Sequence, residues 1–225
     1  MSEQKTNLLS KLTECIEIGK AELDSPYPPN LKGEKGASEY TAEALALGIP
    51  PLEILEKSLM VGMKNIGDKF SQGKAFIPNL LISSKAMKAA MVHLKPYFDS
   101  GAAKMKGTLV IGTVTGDLHD IGKNIVKMVM EGNGWKVIDL GTDTSEEKFI
   151  AAVKENPDCI VGLSALLTTT MLNMEKILNS VKEVNPKVKV FVGGAPLSEQ
   201  FSNSIGADGY FHDPQSLVDY LENNN

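Results

Sequence analysis

The sequence predicts an α/β protein in which an N-terminal helical bundle caps a flavodoxin-like (Rossmann-like) doubly wound sheet of five parallel strands. Up to residue 99, apolar residues recur at helical spacing, which is typical of amphipathic helices that pack against each other. From residue 107 onwards, short apolar runs alternate with helical patterns, as they do in successive βα units. We therefore expect a helical cap domain at 1–99, a hinge at 100–106 and an α/β domain at 107–225.

Proline and glycine delimit four predicted helices in the first half. Ser38 is expected to cap the second helix, and Pro96 is expected to stop the fourth. Residues 24–36 are rich in proline and glycine, which predicts an irregular loop between the first two helices. The predicted helices span 7–23, 38–47, 50–70 and 78–96.

The second half contains five predicted βα units. Each strand is a short run of aliphatic residues followed by a helical pattern, so we expect a parallel sheet with helices on both faces. The predicted strands lie at 108–114, 135–140, 159–163, 188–192 and 210–211, and the helices at 122–132, 145–155, 170–184, 198–205 and 214–221.

The composition restricts the partners and the compartment that we expect. The formal net charge is −5, and all 23 basic residues are lysines. An acidic chain without arginine argues against a nucleic acid and against an anionic membrane surface as partners. Cys15 and Cys159 lie in separate apolar segments, which predicts buried free thiols in a reducing compartment. We therefore expect a cytoplasmic protein with no membrane or nucleic-acid partner.

The loop after the first predicted strand carries the motif Asp117-x-His119-x-x-Gly122. In a doubly wound sheet, ligands bind beyond the carboxyl ends of the strands, where this loop is expected. Asp117 can accept a hydrogen bond from one ring nitrogen of His119, which fixes the tautomer and raises the basicity of a ligating imidazole. The alternative for an isolated motif is an ordinary loop histidine beside a helix-capping aspartate.

Three common phosphate-binding loops do not match this segment. Its glycines lack the G-x-G-x-x-G spacing of dinucleotide folds, and five residues rather than the four of a P-loop separate Gly116 from Gly122. An FMN phosphate could bind the threonines of the loop, but Asp117 would repel it. All three interpretations leave His119 without a role.

A metal site uses His119 directly, but the sequence offers no companion ligands. His93 lies within a predicted helix and His212 precedes a predicted helix cap, so we expect both to be structural. A single protein ligand suffices where a macrocycle such as haem or corrin supplies the equatorial ligands.

The motif resembles the signature of the cobalamin-binding fold shared by methionine synthase, corrinoid methyl-carrier proteins and B12 mutases. Residues 164–170 and 193–194 fall where that family has its other binding elements. Residues 62–87 are similar to the helical cap of methionine synthase and the corrinoid carriers, which the mutases would not show. The resemblance covers roughly residues 40–215 and favours a corrinoid methyl carrier.

The resemblance implies that cobalamin or a related corrinoid binds base-off/His-on, with His119 as the cobalt ligand in place of the released base. It also implies that hydroxyls at Ser164 and Thr168 line the slot for the nucleotide tail. Thr170 would complete a relay with Asp117 and His119, at a position where methionine synthase has a serine.

In the cap, the resemblance implies that Phe70, Ile77 and Leu80 cover the upper corrin face, with Glu56 near the cofactor. His119 and Asp117 would then carry the catalytic role, and His119 would be the metal ligand. The residues implied in cofactor binding are Gly116, Asp117, Leu118, His119, Asp120, Ile121, Gly122, Ser164, Leu166, Thr168, Thr170, Gly193, Gly194, Glu56, Phe70, Ile77 and Leu80.

The function implied is that of a corrinoid subunit, inactive by itself, that carries a methyl group on cobalt. Its implied partners are a substrate:corrinoid methyltransferase, a corrinoid:tetrahydrofolate or corrinoid:coenzyme M methyltransferase, and a reductive activator protein. The methyl donor stays open among methanol, methylamines, aryl methyl ethers and betaines. The alternatives are a B12-dependent sensor or regulatory module, which would normally add a DNA-binding domain, and an FMN electron carrier.

Overall fold

The computed structural model describes residues 3–99 and 105–224. These form two compact units that divide the chain between residues 105 and 106, except that Gly132–Gly134 group with the first unit. Most of the predicted hinge at 100–106 lies outside the described residues. In the described ranges, no helix has the length and apolar character needed to cross a membrane.

Helices build the first unit by burying their apolar stripes against one another. The first helix packs on three others, and its Leu12 and Ile16 are completely buried, as are Leu59 and Met63. The elements are α1 (Glu3–Ile18), α2 (Ala37–Ala46), α3 (Pro51–Ile54), a π-helical segment (Leu55–Leu59), α4 (Met60–Ser71) and α5 (Ile77–Asp99), with a 3₁₀ turn at Pro29–Leu31 in the predicted loop.

Two helix ends in this unit differ from the predicted ones, one because of a glycine backbone conformation and the other because of a side-chain hydrogen bond. The first helix ends at Ile18 rather than at residue 23, since Gly19 adopts a left-handed backbone with φ of +79°. The N-cap of α2 is Gly36 rather than Ser38, and the Gly36 N–H donates to the Glu39 carboxylate over 2.9 Å.

The two long predicted helices of this unit also need correction. The third is interrupted by the π-helical segment Leu55–Leu59, which leaves it as α3 and α4. Pro96 lies inside α5 instead of stopping it. Proline there leaves the Val92 carbonyl without its helical donor, but Val92 is 70% exposed, so water can take that place.

The second unit is a parallel five-stranded sheet in the order β2-β1-β3-β4-β5, as predicted. This is the flavodoxin-like order, whose topological switch point lies beside the first strand. The elements are β1 (Thr108–Thr113), α6 (Ile121–Gly132), β2 (Lys136–Asp139), α7 (Glu146–Glu155), β3 (Ile160–Ser164), α8 (Asn173–Val184), β4 (Lys189–Gly193), α9 (Glu199–Ser204), β5 (Gly209–Tyr210) and α10 (Pro214–Asn223).

The register of the sheet brings the candidate loops together. Thr113 pairs with Ser164 and Ser164 pairs with Gly193, so β1, β3 and β4 end side by side at one edge. Both faces of the sheet are covered, and residues such as Val110, Val161 and Val190 are fully buried. The loops that follow these three strands therefore start from one rigid platform.

Both cysteines are buried free thiols, as expected. Burial is the main cause that raises the pKa of Cys15, to about 11, and Glu14 acts in the same direction. Burial likewise raises the pKa of Cys159.

Candidate functional site

The carboxylate of Asp117 is the centre of a hydrogen-bond network at the carboxyl edge of the sheet. Asp117 is fully buried, and its Oδ1 lies 2.8 Å from Nδ1 of His119 and accepts the His119 N–H over 3.1 Å. Its Oδ2 accepts the Thr170 hydroxyl over 2.6 Å and the N–H groups of Leu166 and Leu167 over 2.8 and 3.3 Å. This one side chain therefore ties the loop after β1 to the loop after β3.

The electrostatics of this network define the tautomer of His119. Burial by itself would raise the pKa of Asp117, but hydrogen bonds from Thr170, the Leu166 N–H and His119 hold that pKa well below its usual range. An ionised carboxylate can only accept, so Nδ1 of His119 must carry the proton between them. Nε2 is then the nitrogen with a free lone pair, on a side chain that is 49% exposed.

Exposed aliphatic side chains lie in, or at the end of, the segments that follow β1 and β3. Leu118 is 74% exposed and Ile121 66%, and Leu172 after β3 is 64% exposed. Leu166 and Leu167 are also exposed, at 44% and 43%. These five residues, which we call the aliphatic patch, expose apolar side chains in the segments that also carry the exposed imidazole of His119. Apolar surface combined with a few polar groups is typical of cofactor sites.

The other predicted residues of the Asp117 loop have mainly backbone roles. Gly116 adopts a left-handed φ of +82°. Asp120 immediately precedes α6. Its carbonyl accepts the Asn124 N–H over 2.8 Å, and its carboxylate accepts the Asn124 side-chain amide over 3.0 Å. Gly122 has no atom within 4 Å of the point where a Cβ would lie.

The predicted residues after β3 lie at the same edge. Ser164 ends β3 half-buried, and its carbonyl accepts the Val114 N–H over 3.0 Å. Thr168 is exposed, whereas Thr170 is buried against Asp117.

The two glycines after β4 differ in what surrounds them. A Cβ on Gly194, whose φ is +138°, would lie 1.8 Å from the carbonyl oxygen of Ala165. A Cβ on Gly193 would meet only the carbonyl oxygen of Phe211, at 3.9 Å. Gly194 is therefore required by the fold, while Gly193 borders open space.

The four predicted cap residues lie on the helical unit with different exposures. Glu56 and Ile77 are exposed, Phe70 is half-buried, and Leu80 is buried at 1% exposure. Their role towards a cofactor stays a prediction.

The two remaining histidines, His93 and His212, lie beside a serine hydroxyl and a helix cap, respectively. Nε2 of His93 lies 2.9 Å from the hydroxyl of Ser38. Asp213, next to the exposed His212, caps α10 by accepting the N–H groups of Gln215 and Ser216 over 2.9 and 3.0 Å. Within residues 3–99 and 105–224, no group of three or more His, Cys, Asp and Glu side chains is gathered that could hold a metal ion.

Sequence reasoning missed two residues that contact the site loop. The Asp143 carboxylate accepts the Gly116 N–H over 2.7 Å, and the Asn173 amide donates to the Thr115 carbonyl over 2.8 Å. The position of Asp143 just after β2, which is the neighbour of β1, is a signal that could have found it.

Comparison with known proteins assigns both halves of the chain to one class. Residues 107–218 match a family described as a B12 binding domain, and residues 33–95 match a second family of the same description. Both halves therefore belong to B12-binding domains.

Curated relatives define the family more closely. Trimethylamine corrinoid protein 2 of Methanosarcina mazei is 42% identical over 181 residues, which cover 79% of this chain and 83% of the relative. Dimethylamine corrinoid protein of Methanosarcina barkeri is 41% identical over 217 residues, or 95% of each chain. The chain belongs to the family of corrinoid methyl-carrier proteins.

A solved structure agrees with this assignment. The crystal structure of the methanol:cobalamin methyltransferase complex MtaBC from Methanosarcina barkeri contains a chain that matches with a TM-score of 0.78 and 29% identity. The match covers 96% of this chain and 79% of that one.

Proposed function

We propose that this chain carries the methyl group of a methylated amine on a corrinoid held base-off/His-on by Nε2 of His119. The observation that carries the proposal is the pair formed by His119 and the buried Asp117 carboxylate, which leaves Nε2 free at the switch point of the sheet.

The residues at this edge fit a corrinoid. One nitrogen ligand with a fixed tautomer is what a macrocyclic metal requires from the protein, because the ring supplies the equatorial ligands. The aliphatic patch would offer apolar contacts to the methyl groups and the face of the corrin ring. When bound, the corrinoid supplies a cobalt centre that accepts and releases a methyl group.

The network below the imidazole provides a way to hold a proton when Nε2 is not a ligand. Nε2 is free to accept that proton because the Asp117 carboxylate accepts from the other ring nitrogen, Nδ1, over 2.8 Å. Thr170 keeps that carboxylate hydrogen-bonded in both states through its 2.6 Å contact. Ligation and protonation of His119 are thereby linked by its own neighbours.

The open space beside Gly193 supports the proposed slot for the nucleotide tail. Ser164 and Gly193 are register partners at the ends of β3 and β4, so both lie at the carboxyl edge of the sheet. Together with Thr168 they would give the tail polar contacts and room.

We extend the proposal to the helical domain and to the partners. Phe70, Ile77 and Leu80 would cover the face of the corrinoid that carries the methyl group, and Glu56 would lie near that face. The domain bounds are those expected from the sequence, with the helical cap at 1–99, the hinge at 100–106 and the α/β domain at 107–225. The methyl donor reaches the corrinoid through a separate methyltransferase in the cytoplasm. A second methyltransferase passes the methyl group to tetrahydrofolate or coenzyme M, and a reductive activator restores a corrinoid that has been oxidised.

The relatives favour an amine as the donor. The curated relatives at 41–42% identity are dimethylamine and trimethylamine corrinoid proteins, whereas the methanol complex is 29% identical. Methanol is the second candidate because of that structural match.

The test is a methyl-transfer assay with purified components. The chain is loaded with hydroxocobalamin, reduced chemically, and incubated with a trimethylamine-, dimethylamine- or methanol-specific corrinoid methyltransferase and its labelled substrate. We expect label on the protein-bound corrinoid with an amine-specific enzyme and little with the methanol-specific one. Label only from methanol would overturn the amine assignment, and failure to take up cobalt would overturn the proposal as a whole.

A further inference from the structure

Asp143 has a backbone conformation that side-chain-bearing residues rarely adopt. Its φ is +47°, and in the described ranges it is the one residue other than glycine with a positive φ. Aspartate tolerates this left-handed region better than most residues, but glycine would occupy it at lower cost. Residues held in such conformations cluster at functional sites, so the reason for a side chain here is worth asking.

The side chain and the backbone of Asp143 both bind the loop that carries Asp117. The Asp143 carboxylate accepts the Gly116 N–H over 2.7 Å, and the Asp143 N–H donates to the Asp117 carbonyl over 2.9 Å. These two contacts straddle the peptide between Gly116 and Asp117. One residue thus presents both an acceptor and a donor to the same short segment.

The neighbours of Asp143 continue the same attachment. Thr144 forms a parallel bridge with Val114, and its N–H donates to the Thr113 carbonyl over 2.9 Å. The Thr115 hydroxyl donates to the Thr144 carbonyl over 2.9 Å. The loop after β2 thus extends the sheet past the end of β1, up to the point where Asp117 begins.

We propose that Asp143 is a positioning residue that fixes the backbone of Asp117 and, through it, the tautomer and orientation of His119. The chain of contacts runs from the Asp143 carboxylate to the Gly116 N–H, and from the Asp117 carboxylate to Nδ1 of His119. The hydrogen bonds of Asp143 to this loop go to the backbone of Gly116 and Asp117 and not to the imidazole of His119. Its consequence for corrinoid binding rests on the proposed function, while its consequence for the apo-protein does not.

Three substitutions separate the side chain from the backbone conformation. Asp143→Asn keeps an acceptor oxygen and tolerates the left-handed region. Asp143→Gly keeps the backbone conformation and removes the acceptor. Asp143→Ala removes the acceptor and adds backbone strain. If Asp143→Ala does not fold, Asp143→Gly carries the test.

The first measurement uses the apo-protein in alkaline solution, where the imidazole is neutral. Two-bond ¹H–¹⁵N correlations of ¹⁵N-labelled histidine report which ring nitrogen of His119 is protonated. We expect one tautomer, protonated at Nδ1, in the wild type and in Asp143→Asn, and a mixture of tautomers in Asp143→Gly. Amide exchange at Gly116 should accelerate in the glycine variant, because its N–H loses the carboxylate acceptor.

Asp208, which precedes β5 on the other side of the sheet, offers a control, although it also forms ion pairs with Lys182 and Lys189 at 3.0 and 3.1 Å. It makes the same reciprocal contact with Val190, since its N–H donates to the Val190 carbonyl over 2.8 Å and its carboxylate accepts the Val190 N–H over 2.9 Å. Asp208→Gly should lower thermal stability as Asp143→Gly does, but it should leave the His119 tautomer unchanged.

The second measurement is corrinoid binding by the full chain. Asp143→Gly is expected to weaken the affinity for hydroxocobalamin about tenfold, as loss of partners behind a metal ligand commonly does, and Asp143→Asn should restore it. The proposal is overturned if Asp143→Gly keeps the wild-type tautomer, or if Asp208→Gly disturbs that tautomer equally. Absence of corrinoid uptake by the wild type would instead remove the proposed function, and the tautomer comparison would still decide the role of Asp143.

Discussion

The hydroxyl of Thr170 donates to Oδ2 of Asp117 over 2.6 Å, across the gap between the loops after β3 and β1. The other oxygen of the same carboxylate holds Nδ1 of His119 at 2.8 Å. A hydroxyl, a carboxylate and an imidazole therefore form one continuous chain, in which only the imidazole is substantially exposed.

Substitution of the imidazole should abolish the proposed axial ligation. His119→Ala is expected to keep part of the corrinoid affinity, because the aliphatic patch remains, but to lose the absorption spectrum of the histidine-ligated cofactor. Absorption spectroscopy of the reconstituted protein measures this. His212→Ala, which removes another exposed histidine of the same domain, is the control and should keep the wild-type spectrum. An unchanged spectrum in His119→Ala would remove His119 as the ligand.

Loss of the Asp117 charge should destabilise the apo-protein. Asp117→Asn replaces one accepting oxygen by an NH₂ group that faces backbone N–H donors, and buried donors left unpaired are costly. We expect the free energy of unfolding to fall by about 3 kcal/mol, measured by urea denaturation at neutral pH. A variant as stable as the wild type would show that the network contributes little.

The difference in stability between the wild type and Asp117→Asn should depend on pH in a defined direction. The pKa of Asp117 is lowered in the folded state, so the unfolded chain binds the proton more readily. The stabilisation by its carboxylate is fully present above the unfolded pKa of about 3.9 and is lost as the pH falls through the folded pKa. The difference in stability between wild type and Asp117→Asn should therefore be constant near neutrality and narrow below about pH 4. Equal pH profiles would contradict this.

The Thr170 hydroxyl should matter more than its methyl group. Thr170→Val keeps the shape but removes the donor to Asp117, and we expect a loss of about 1–2 kcal/mol in the free energy of unfolding. Thr170→Ser should restore most of it, because serine retains the donor. Thr168→Val, which changes an exposed threonine of the same loop, is the control for urea denaturation of the apo-protein and should be neutral.

The adjacent glycines after β4 should separate folding from binding. Gly194→Ala places a Cβ against the Ala165 carbonyl at a φ of +138°, so we expect a loss of about 3 kcal/mol or more, or failure to fold. Gly193→Ala should fold with near wild-type stability, because its Cβ would meet only one atom, at 3.9 Å. Its hydroxocobalamin affinity should nevertheless fall, since the new methyl group would occupy the proposed slot. Normal affinity in Gly193→Ala would argue against a tail at this position.

The sheet could be predicted closely because burial on both faces imposes continuous apolar runs. The third strand was expected at 159–163 and spans Ile160–Ser164, and the alternation of strands and helices predicted the parallel pairing. The pairing of Asp117 with His119 could be predicted for a similar reason. Asp117 and His119 are two residues apart in one loop, so their side chains can reach each other without a contact from a distant segment.

The features that sequence reasoning missed depend on contacts between distant segments. The cap of α2 comes from Glu39, whose carboxylate also accepts the Leu23 N–H over 3.1 Å, and no local rule distinguishes that arrangement from a cap by Ser38. Asp143 acquires its role only when β2 lies beside β1. The local sequence identifies several residues that could cap a helix, but contacts with distant segments decide which of them does.

The buried thiols have a bearing on where a transferred methyl group can go. Sulfur attacks an alkyl group as a thiolate, and the raised pKa values of Cys15 and Cys159 keep both in the unreactive thiol form at neutral pH. The carrier thus has no competing nucleophile of this kind within its own described residues. Methylation of its own cysteines, which would consume the methyl group and leave a stable thioether, is thereby disfavoured. The methyl group stays available to an acceptor outside the chain.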